Sequence, residues 1–277
     1  MTLESHVSEG MRIWEAVLDP EILVGTGAYL LLKPLLSRTS LVNPSKGAYR
    51  SAMIYYNLAM AIFSAATFFV TATALGWDRG TGAWLRNLTN DSVVHLYRCP
   101  SEVWSSTLFV GAARAFYFSK YVEYLDTTWL VLKGKPVSFL QGFHHFGAPW
   151  DMFLGIKLKN EGCWIFLFLN SFIHTIMYTY YAATAAGLRF AGKPLITLMQ
   201  ITQFCGGFYI VWDYVNLPCF RQDAGMMFSW LFNYFYVGSV FLLFCRFFYQ
   251  DNVSKRKTAA KGAVSSKQSK SKSRKAD

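Results

Sequence analysis

Four groups of polar side chains lie in segments that are otherwise apolar enough for a membrane. A charged or polar group in hydrocarbon is costly, so such groups normally face the protein interior and carry function. The first group is charged, and the other three bring mostly imidazole, amide and phenol side chains: Lys120, Glu123, Asp126 and Thr127; Gln141, His144 and His145; Asn170, His174, Met177, Tyr178 and Tyr181; Thr197, Gln200 and Gln203. We therefore expect one shared internal site.

The spacing places each group on one helix face, because residues three, four and seven apart are neighbours on a helix surface. Lys120 and Glu123 then share a side of their span, as a functional pair or as a structural ion pair that neutralises itself. Asn170, His174 and Tyr178 follow one another at intervals of four. This pattern predicts convergence of an amide, an imidazole and a phenol.

The three histidines in these groups permit three kinds of chemistry. Three imidazoles suffice for zinc, with carboxylates as further ligands, whereas a di-iron centre of the membrane histidine-box type needs more histidines than this. An imidazole also titrates near neutral pH and suits general acid–base work. Finally, a neutral imidazole attacks a thioester and forms an acyl-imidazole, which a water-free pocket protects.

The elements that must position these groups are membrane helices. Of the 277 residues, 53% are hydrophobic and 18% aromatic, more apolar than a typical soluble domain. A membrane helix needs about 20 mostly apolar residues. The predicted spans are 22–36, 52–75, 105–132, 137–153, 163–186, 195–215 and 226–249. The expected fold is all-α, with seven transmembrane helices.

The net charge of +11 is concentrated after residue 250. We predict a disordered basic tail at 251–277, on the cytoplasmic side by the positive-inside rule. With seven spans, the segment 1–20 is then lumenal and 21–250 is the membrane domain. A seven-helix receptor or transporter is the alternative class, but a transporter more often shows internal repeats or broken helices, which the sequence lacks.

Two of the five cysteines differ from the rest. Cys99 and Cys219 each adjoin a proline and fall in predicted lumenal loops, where disulfides are permitted. We hypothesise a Cys99–Cys219 bridge, with two unrelated loop thiols as the alternative. Cys163, Cys205 and Cys245 lie in spans and are expected to be inert.

On these residues the chain resembles the ELO-type very-long-chain fatty-acid elongases, 3-ketoacyl-CoA synthases of the endoplasmic reticulum. Its first group matches the family pattern Lys-x-x-Glu-x-x-Asp-Thr. The third and fourth match Asn-x-x-x-His-x-x-Met-Tyr-x-Tyr-Tyr and Thr-x-x-Gln-x-x-Gln. The second matches the histidine box His-x-x-His-His, with Gln141 in place of the first histidine.

A glutamine at this position of the histidine box, as at Gln141, resembles the subgroup of microbial and algal elongases that act on polyunsaturated chains. Longer stretches are similar to the haptophyte microalgal delta-9 C18 elongases, among them HHFGAPWD from His144 to Asp151 and YVGSVFLLFC from Tyr236 to Cys245. This resemblance implies a helix bundle around an acyl tunnel. It also implies condensation of linoleoyl- or alpha-linolenoyl-CoA with malonyl-CoA, releasing CO2 and CoA. Other acyl specificities, such as C18 delta-6, C20 or saturated chains, are the alternative.

The resemblance also implies a setting for the reaction. We expect no metal and no cofactor, with acyl-CoA and malonyl-CoA as co-substrates. The chain would be a multi-pass protein of the endoplasmic reticulum membrane. Its partners would be the bilayer and the ketoacyl-CoA reductase, dehydratase and enoyl reductase of the elongation cycle, with no nucleic acid; a homo-oligomer is compatible with this.

Residue roles follow as hypotheses. His144 is the expected nucleophile, or only a base in a direct condensation. His145 and His174 would orient it, move protons or stabilise an enolate oxygen, and Gln141 would hydrogen-bond. The expected substrate-binding residues are Lys120, Glu123, Asp126, Thr127, Asn170, Met177, Tyr178, Tyr181, Gln200 and Gln203. Lys133, Lys135, Arg189 and Lys193 are either phosphate-binding residues or positive-inside anchors.

Overall fold

The computed structural model of this chain describes residues 3–37, 47–75, 102–188 and 192–273. In these ranges it is built from α-helices and short 3₁₀ turns, without strands. The helices are α1 Leu3–Val17, α2 Pro20–Ser37, α3 Gly47–Ala74, α4 Thr107–Val122, α5 Tyr124–Leu132, α6 Phe139–Lys157, α7 Cys163–Ala185, α8 Lys193–Val211, α9 Pro218–Gln222 and α10 Ala224–Ser273. The all-α expectation is therefore confirmed for the described residues.

Six of the helices form a closed ring. In order, α3 packs on α7, α7 on α8, α8 on α10, α10 on α6, α6 on α4, and α4 returns to α3. The longest of these contacts runs between α3 and α7. Helix α2 lies outside the ring, against α5 and α6, and α1 packs on α10. Five of these helices, α4, α6, α7, α8 and α10, contribute residues to a cavity between them.

The predicted third span is interrupted. The sequence predicted one helix through the Lys120 group to about Leu132, but α4 ends at Val122 and α5 begins at Tyr124. Glu123 forms the junction, with φ −62° and ψ −15°. No glycine or proline marks this break, so the sequence gives no local signal for it. The break is tolerated because Glu123 is enclosed by protein, where polar side chains can satisfy irregular backbone.

Local sequence defines the helix ends beside the cavity. Ser138 caps α6, because its Oγ accepts a hydrogen bond from the Gln141 backbone N–H at 3.2 Å. Helix α5 ends in a Schellman motif at Gly134, whose φ is +64°. There, the backbone N–H of Gly134 donates to Val131 O and that of Lys135 to Leu130 O. The α5–α6 turn is thus fixed just before the histidines.

Within the described ranges, three helical segments are long and apolar enough to cross a membrane: Gly47–Ala74, Lys193–Asn216 and Ala224–Asp251. Large apolar side chains on the outer surface are also exposed, such as Ile62 at 70% and Phe235 at 70%. Many exposed large apolar side chains suit lipid rather than water. The chain is therefore a membrane protein with several spans, and the number seven stays a prediction.

The basic tail differs from its prediction. Helix α10 continues to Ser273, so 251–273 is helical where disorder was expected. The physical reason is composition: the tail is rich in Lys, Ala and Ser, has no proline and has a single glycine, Gly262, so nothing in it terminates a helix. The division at 20 and 250 stays a prediction.

The cysteines divide as the sequence suggested. Cys219 is disulfide-bonded, while Cys163, Cys205 and Cys245 are free. Cys99, its predicted partner, lies outside the described residues, as does Arg189. The pairing of Cys99 with Cys219 therefore stays a prediction.

Candidate active site

The first polar group forms a buried charged cluster at the α4–α5 break. Lys120 Nζ lies 2.7 Å from Glu123 Oε1, and the two residues are 3% and 2% exposed. The same ammonium donates to Asn170 Oδ1 at 3.4 Å and lies 3.8 Å from the centroid of the Phe116 ring. The same Glu123 oxygen, Oε1, is also 3.5 Å from His174 Nδ1. The structure thus brings together predicted residues from two sequence groups.

His144 is held by a residue for which no role was predicted. The Tyr236 hydroxyl on α10 donates to the His144 carbonyl oxygen at 3.0 Å, and its oxygen is 3.2 Å from His144 Nδ1. Because the hydroxyl hydrogen is used on the carbonyl, the oxygen is free to accept from Nδ1–H. This favours the tautomer that carries its proton on Nδ1 and leaves a lone pair on Nε2.

A glycine makes this contact possible. A Cβ added at Gly147 would lie 2.2 Å from Tyr236 Cε2 and 2.8 Å from Cδ2. The Tyr236 ring therefore occupies the space that any larger residue would need at position 147. One turn of α6 after His144, the absent side chain lets α10 approach closely enough for the hydroxyl to reach the imidazole.

A cavity that is partly open to the outside lies between the helices. Two sets of residues line it at different depths. The polar set is Lys120, His144, Asn170, Gln203 and Tyr236. The second set, three to eight positions away on the same helices, is Phe116, Met152, Ile165, Val211 and Asn233.

The two sets define an axis for the cavity. The second set lies toward one end of the bundle, where Lys157 contacts Asp19 and Trp104 contacts Asn160. With about 1.5 Å of rise per residue, the sets are separated by roughly 5–12 Å. Between them the lining is largely apolar, with Phe166, Leu169 and Phe208 among its members. The cavity is therefore polar at one end and apolar along its length.

One polar pair interrupts the apolar part. Asp151 on α6 accepts from Asn233 Nδ2 on α10, at 2.8 Å to Oδ1 and 2.9 Å to Oδ2. Both residues are 9% exposed and both line the cavity. A buried carboxylate is costly unless it is hydrogen-bonded. A packing role alone would be met more cheaply by two apolar side chains.

Gln141 and His145 lie on the α2 side of α6. Gln141 Nε2 donates to Thr127 Oγ1 at 3.4 Å, and Thr127 also contacts the Tyr29 hydroxyl at 3.3 Å. His145 is buried, with its ring 6.1 Å from that of Tyr29 and 5.5 Å from that of His144. Neither residue lines the cavity. Their contacts order the α2–α5–α6 packing, and their catalytic roles stay predictions.

Other predicted residues on α5, α7 and α8 form two further contacts. Tyr178 donates to Asp126 Oδ2 at 2.8 Å, and Gln200 Nε2 is 3.5 Å from Met177 Sδ. Gln203 lines the cavity, and its Oε1 is buried without a hydrogen-bond partner among the described residues. Tyr181 is 42% exposed, so the structure leaves it at the outer surface.

The donor set at the cluster also bears on metal binding. Glu123, His144 and His174 offer ligand atoms within 4.8 Å of one another, and two histidines with one glutamate match a common zinc set. The Lys120 ammonium, however, lies 2.7 Å from the same Glu123 oxygen. A cation would have to displace this ammonium, so the donor set fits an ion pair better than a metal.

Three polar residues of the cavity were not predicted as site residues: Tyr236, Asn233 and Asp151. Their signal was present, because Asn233 and Tyr236 are polar residues three apart in an apolar span, and Asp151 is a charge within another. Each occurs alone rather than in a dense group. The spacing therefore predicted the charged cluster but not the cavity contacts made by these three residues.

Comparison with known proteins gives one consistent result. The family described as ELO: GNS1/SUR4 matches residues 19–260, which include all four polar groups. "Very long chain fatty acid elongase AAEL008004" of Aedes aegypti is 32% identical over 227 residues, covering 75% of this chain and 60% of that protein.

Two rat proteins cover more of their own length. "Very long chain fatty acid elongase 6" of Rattus norvegicus is 29% identical over 223 residues, or 78% of this chain and 79% of the relative. "Very long chain fatty acid elongase 7" of Rattus norvegicus is 28% identical over 255 residues, or 87% of this chain and 83% of the relative. The similarity therefore extends across the whole helix ring.

Proposed function

The chain belongs to the ELO: GNS1/SUR4 family of fatty acid elongases, and we propose that it condenses an acyl-CoA with malonyl-CoA to give a 3-ketoacyl-CoA two carbons longer. The proposed acyl substrate is a C18 delta-9 polyunsaturated chain, linoleoyl or alpha-linolenoyl. The observation that carries the proposal is the position of His144. Of the three histidines proposed as catalytic, it alone lines the described cavity, at the polar end of an otherwise apolar space.

In the proposed first half-reaction, the Nε2 lone pair of His144 attacks the thioester carbon. The C–S bond breaks, the CoA thiolate leaves and takes up one proton, and the acyl chain stays on the imidazole. Tyr236 favours the required tautomer by accepting from Nδ1–H. The apolar lining accommodates the acyl chain and keeps water from the reactive acyl-imidazole.

In the second half-reaction, malonyl-CoA loses CO2 and leaves an enolate. The enolate carbon attacks the acyl carbon, the acyl–nitrogen bond breaks, and the imidazole leaves neutral with its Nδ1 proton. The cycle therefore takes up one proton in all, the one on CoA. Lys120 and Asn170 line the cavity beside His144. They are the groups that would stabilise negative charge on the thioester or enolate oxygen. His174, in contact with Glu123, would hold the carboxylate toward Lys120.

The setting is part of the same proposal. The protein would act in the endoplasmic reticulum membrane, with the basic C-terminal segment cytoplasmic and the N-terminus lumenal. Lys133 and Lys193 lie near one end of the bundle. Lys133 Nζ contacts Met53 Sδ near the start of α3, and Lys193, the first residue of α8, pairs with Asp251 at 3.8 Å. Cations at that end suit CoA phosphates. A reductase, a dehydratase and an enoyl reductase would process the product.

The test is an elongation assay on membranes from yeast that expresses this chain. Labelled malonyl-CoA is supplied with saturated, monounsaturated and polyunsaturated C18 and C20 acyl-CoAs, and products are identified by mass. Extension of linoleoyl- and alpha-linolenoyl-CoA by two carbons is expected. Extension of other chains instead would keep the reaction and overturn the substrate proposal. Absence of any extension, with the protein present in the membrane, would overturn both.

Whether the acyl chain becomes bound to protein is decided separately. Incubation with acyl-CoA and no malonyl-CoA should add the mass of one acyl group to the intact protein. The wild type should show this adduct, and His144→Ala should not. An active wild type without any adduct would favour the alternative in which His144 acts as a base in a direct condensation.

A further inference from the structure

The Asp151–Asn233 pair is a cavity element that the proposed reaction does not use. We propose that it is the specificity-determining element for the acyl chain, recognising unsaturation near carbon 9. This inference rests on the proposed function, since it assumes that the acyl chain extends from His144 into the apolar part of the cavity. It concerns selection among acyl chains and not the bond-making step.

The depth of the pair fits this position. Asp151 lies seven residues, two helical turns, after His144 on α6, and both side chains line the cavity. Seven residues of helix rise by roughly 10 Å. An extended chain of single bonds advances by roughly 1.2 Å per bond, so eight or nine bonds cover this distance. Measured along α6, a chain whose first carbon is at His144 therefore has about its ninth carbon beside Asp151.

The chemistry of the pair distinguishes unsaturated from saturated chains. A carboxylate offers about four acceptor positions, of which Asn233 Nδ2 uses two. C–H groups on a double bond, and the CH2 between two double bonds, are stronger donors than those of a saturated chain. They can form weak C–H···O contacts with the remaining positions. A saturated chain would cover the carboxylate without a compensating contact, which is unfavourable.

The shape of the cavity acts in the same direction. Its two sets of lining residues are separated by roughly 5–12 Å along the helices, a distance shorter than an extended C18 chain. A chain that stays within the cavity therefore has to turn near the level of Asp151 and Asn233. A cis double bond at carbon 9 supplies a bend at that place, whereas a saturated chain has to adopt strained torsions there.

The experiment compares linoleoyl-CoA with stearoyl-CoA in direct competition. The test variant is Asp151→Leu with Asn233→Leu, because removing both partners leaves no unsatisfied group and so preserves folding better than either single change. Leu154→Met is the matched control, a volume-conserving change at a buried position of α6 that does not line the cavity. In the double variant, the ratio of linoleoyl-CoA to stearoyl-CoA elongated should fall by about fivefold, which corresponds to the loss of one weak C–H···O contact. The control should keep the wild-type ratio. An unchanged preference in a folded double variant overturns the proposal.

A binding measurement separates this inference from the proposed reaction. Two photoreactive C18 acyl-CoA probes carry a diazirine at carbon 3 or at carbon 9, and labelled peptides are mapped by mass spectrometry. The carbon-9 probe should label α6 and α10 around Asp151 and Asn233, and the carbon-3 probe residues around His144. Such labelling in a protein that condenses nothing would refute the reaction and retain the acyl placement. Labelling by the carbon-9 probe outside this level overturns the inference, whether or not the protein is active.

Discussion

The two ends of the cavity handle buried charge differently. At the His144 end, Lys120 and Glu123 form an ion pair that is also contacted by Asn170 and His174 of α7. At the other end, the single carboxylate of Asp151 is held by one amide from α10. A reaction that creates and moves charge needs several polar groups that can stabilise the charge at each step. A selecting contact needs only a fixed acceptor. The difference indicates which end carries the chemistry.

The largest expected effect comes from His144. His144→Ala should lower ketoacyl-CoA formation by about 10⁴-fold or more, because it removes the proposed nucleophile. The rate of labelled malonyl incorporation measures this. Asp151→Leu/Asn233→Leu, at the opposite end, should retain the reaction with its altered preference. Comparable loss in the two variants would remove the proposed division between the cavity ends.

The second effect is on stability. Lys120→Met alone should lower the free energy of unfolding by about 3–5 kcal/mol, because it leaves Glu123 buried without its partner. Lys120→Met with Glu123→Leu should recover most of this loss. Thermal unfolding in detergent, followed by circular dichroism, measures both. If the single and double variants unfold at the same temperature, the buried pair does not act as a unit.

The third effect tests the tautomer. Tyr236→Phe should lower kcat by about 10- to 100-fold, because His144 loses a hydrogen-bond partner and its carbonyl loses a donor. Gly147→Ala should act in the same direction, since its Cβ would displace the Tyr236 ring. KM for malonyl-CoA should change little in Tyr236→Phe. A variant with normal kcat would show that Tyr236 serves packing alone.

The smallest effect supplies an exposed reference for the buried pair. Lys157 Nζ is 2.8 Å from Asp19 Oδ2, nearly the Lys120–Glu123 distance, but Lys157 is 46% exposed. The hydrogen bond from Lys157, followed by that from the Glu21 backbone N–H, lowers the pKa of Asp19 below its ordinary value. Its contribution is therefore present above the unfolded-state pKa and is lost as pH falls through the folded-state pKa.

Asp19→Asn should accordingly cost less than about 1 kcal/mol near neutral pH. The difference in unfolding temperature between Asp19→Asn and wild type should vanish at acidic pH. A loss comparable to that of Lys120→Met would contradict the contrast between exposed and buried pairs.

The sequence predicted the parts of the site that repeat on one helix. Lys120 and Glu123 are three apart on a polar stripe, and the structure joins them. Asn170 and His174 are four apart, and both reach the same cluster. Contacts between distant helices gave no such signal: position 236 meets His144 across 92 residues, and that meeting depends on the absent side chain at Gly147.

The fold was predictable to a similar degree. Long apolar segments predicted helices, and their ends agree closely where a cap is present, as at Ser138 and Gly134. The break at Glu123 was not predictable, because it depends on tertiary contacts of the carboxylate and not on glycine or proline. The helical tail was not predicted, because its low hydrophobicity is typical of disorder. Its composition nevertheless allows a helix, since it has no proline and a single glycine.

The interruption at Glu123 brings two helix ends into the middle of the bundle. Lys120 lies in the last turn of α4, where the macrodipole is negative, and Asp126 in the first turn of α5, where it is positive. Each charge therefore meets a backbone field of opposite sign. A straight helix through this region would offer neither field. The peptide groups thus take part in holding polar side chains inside a membrane protein.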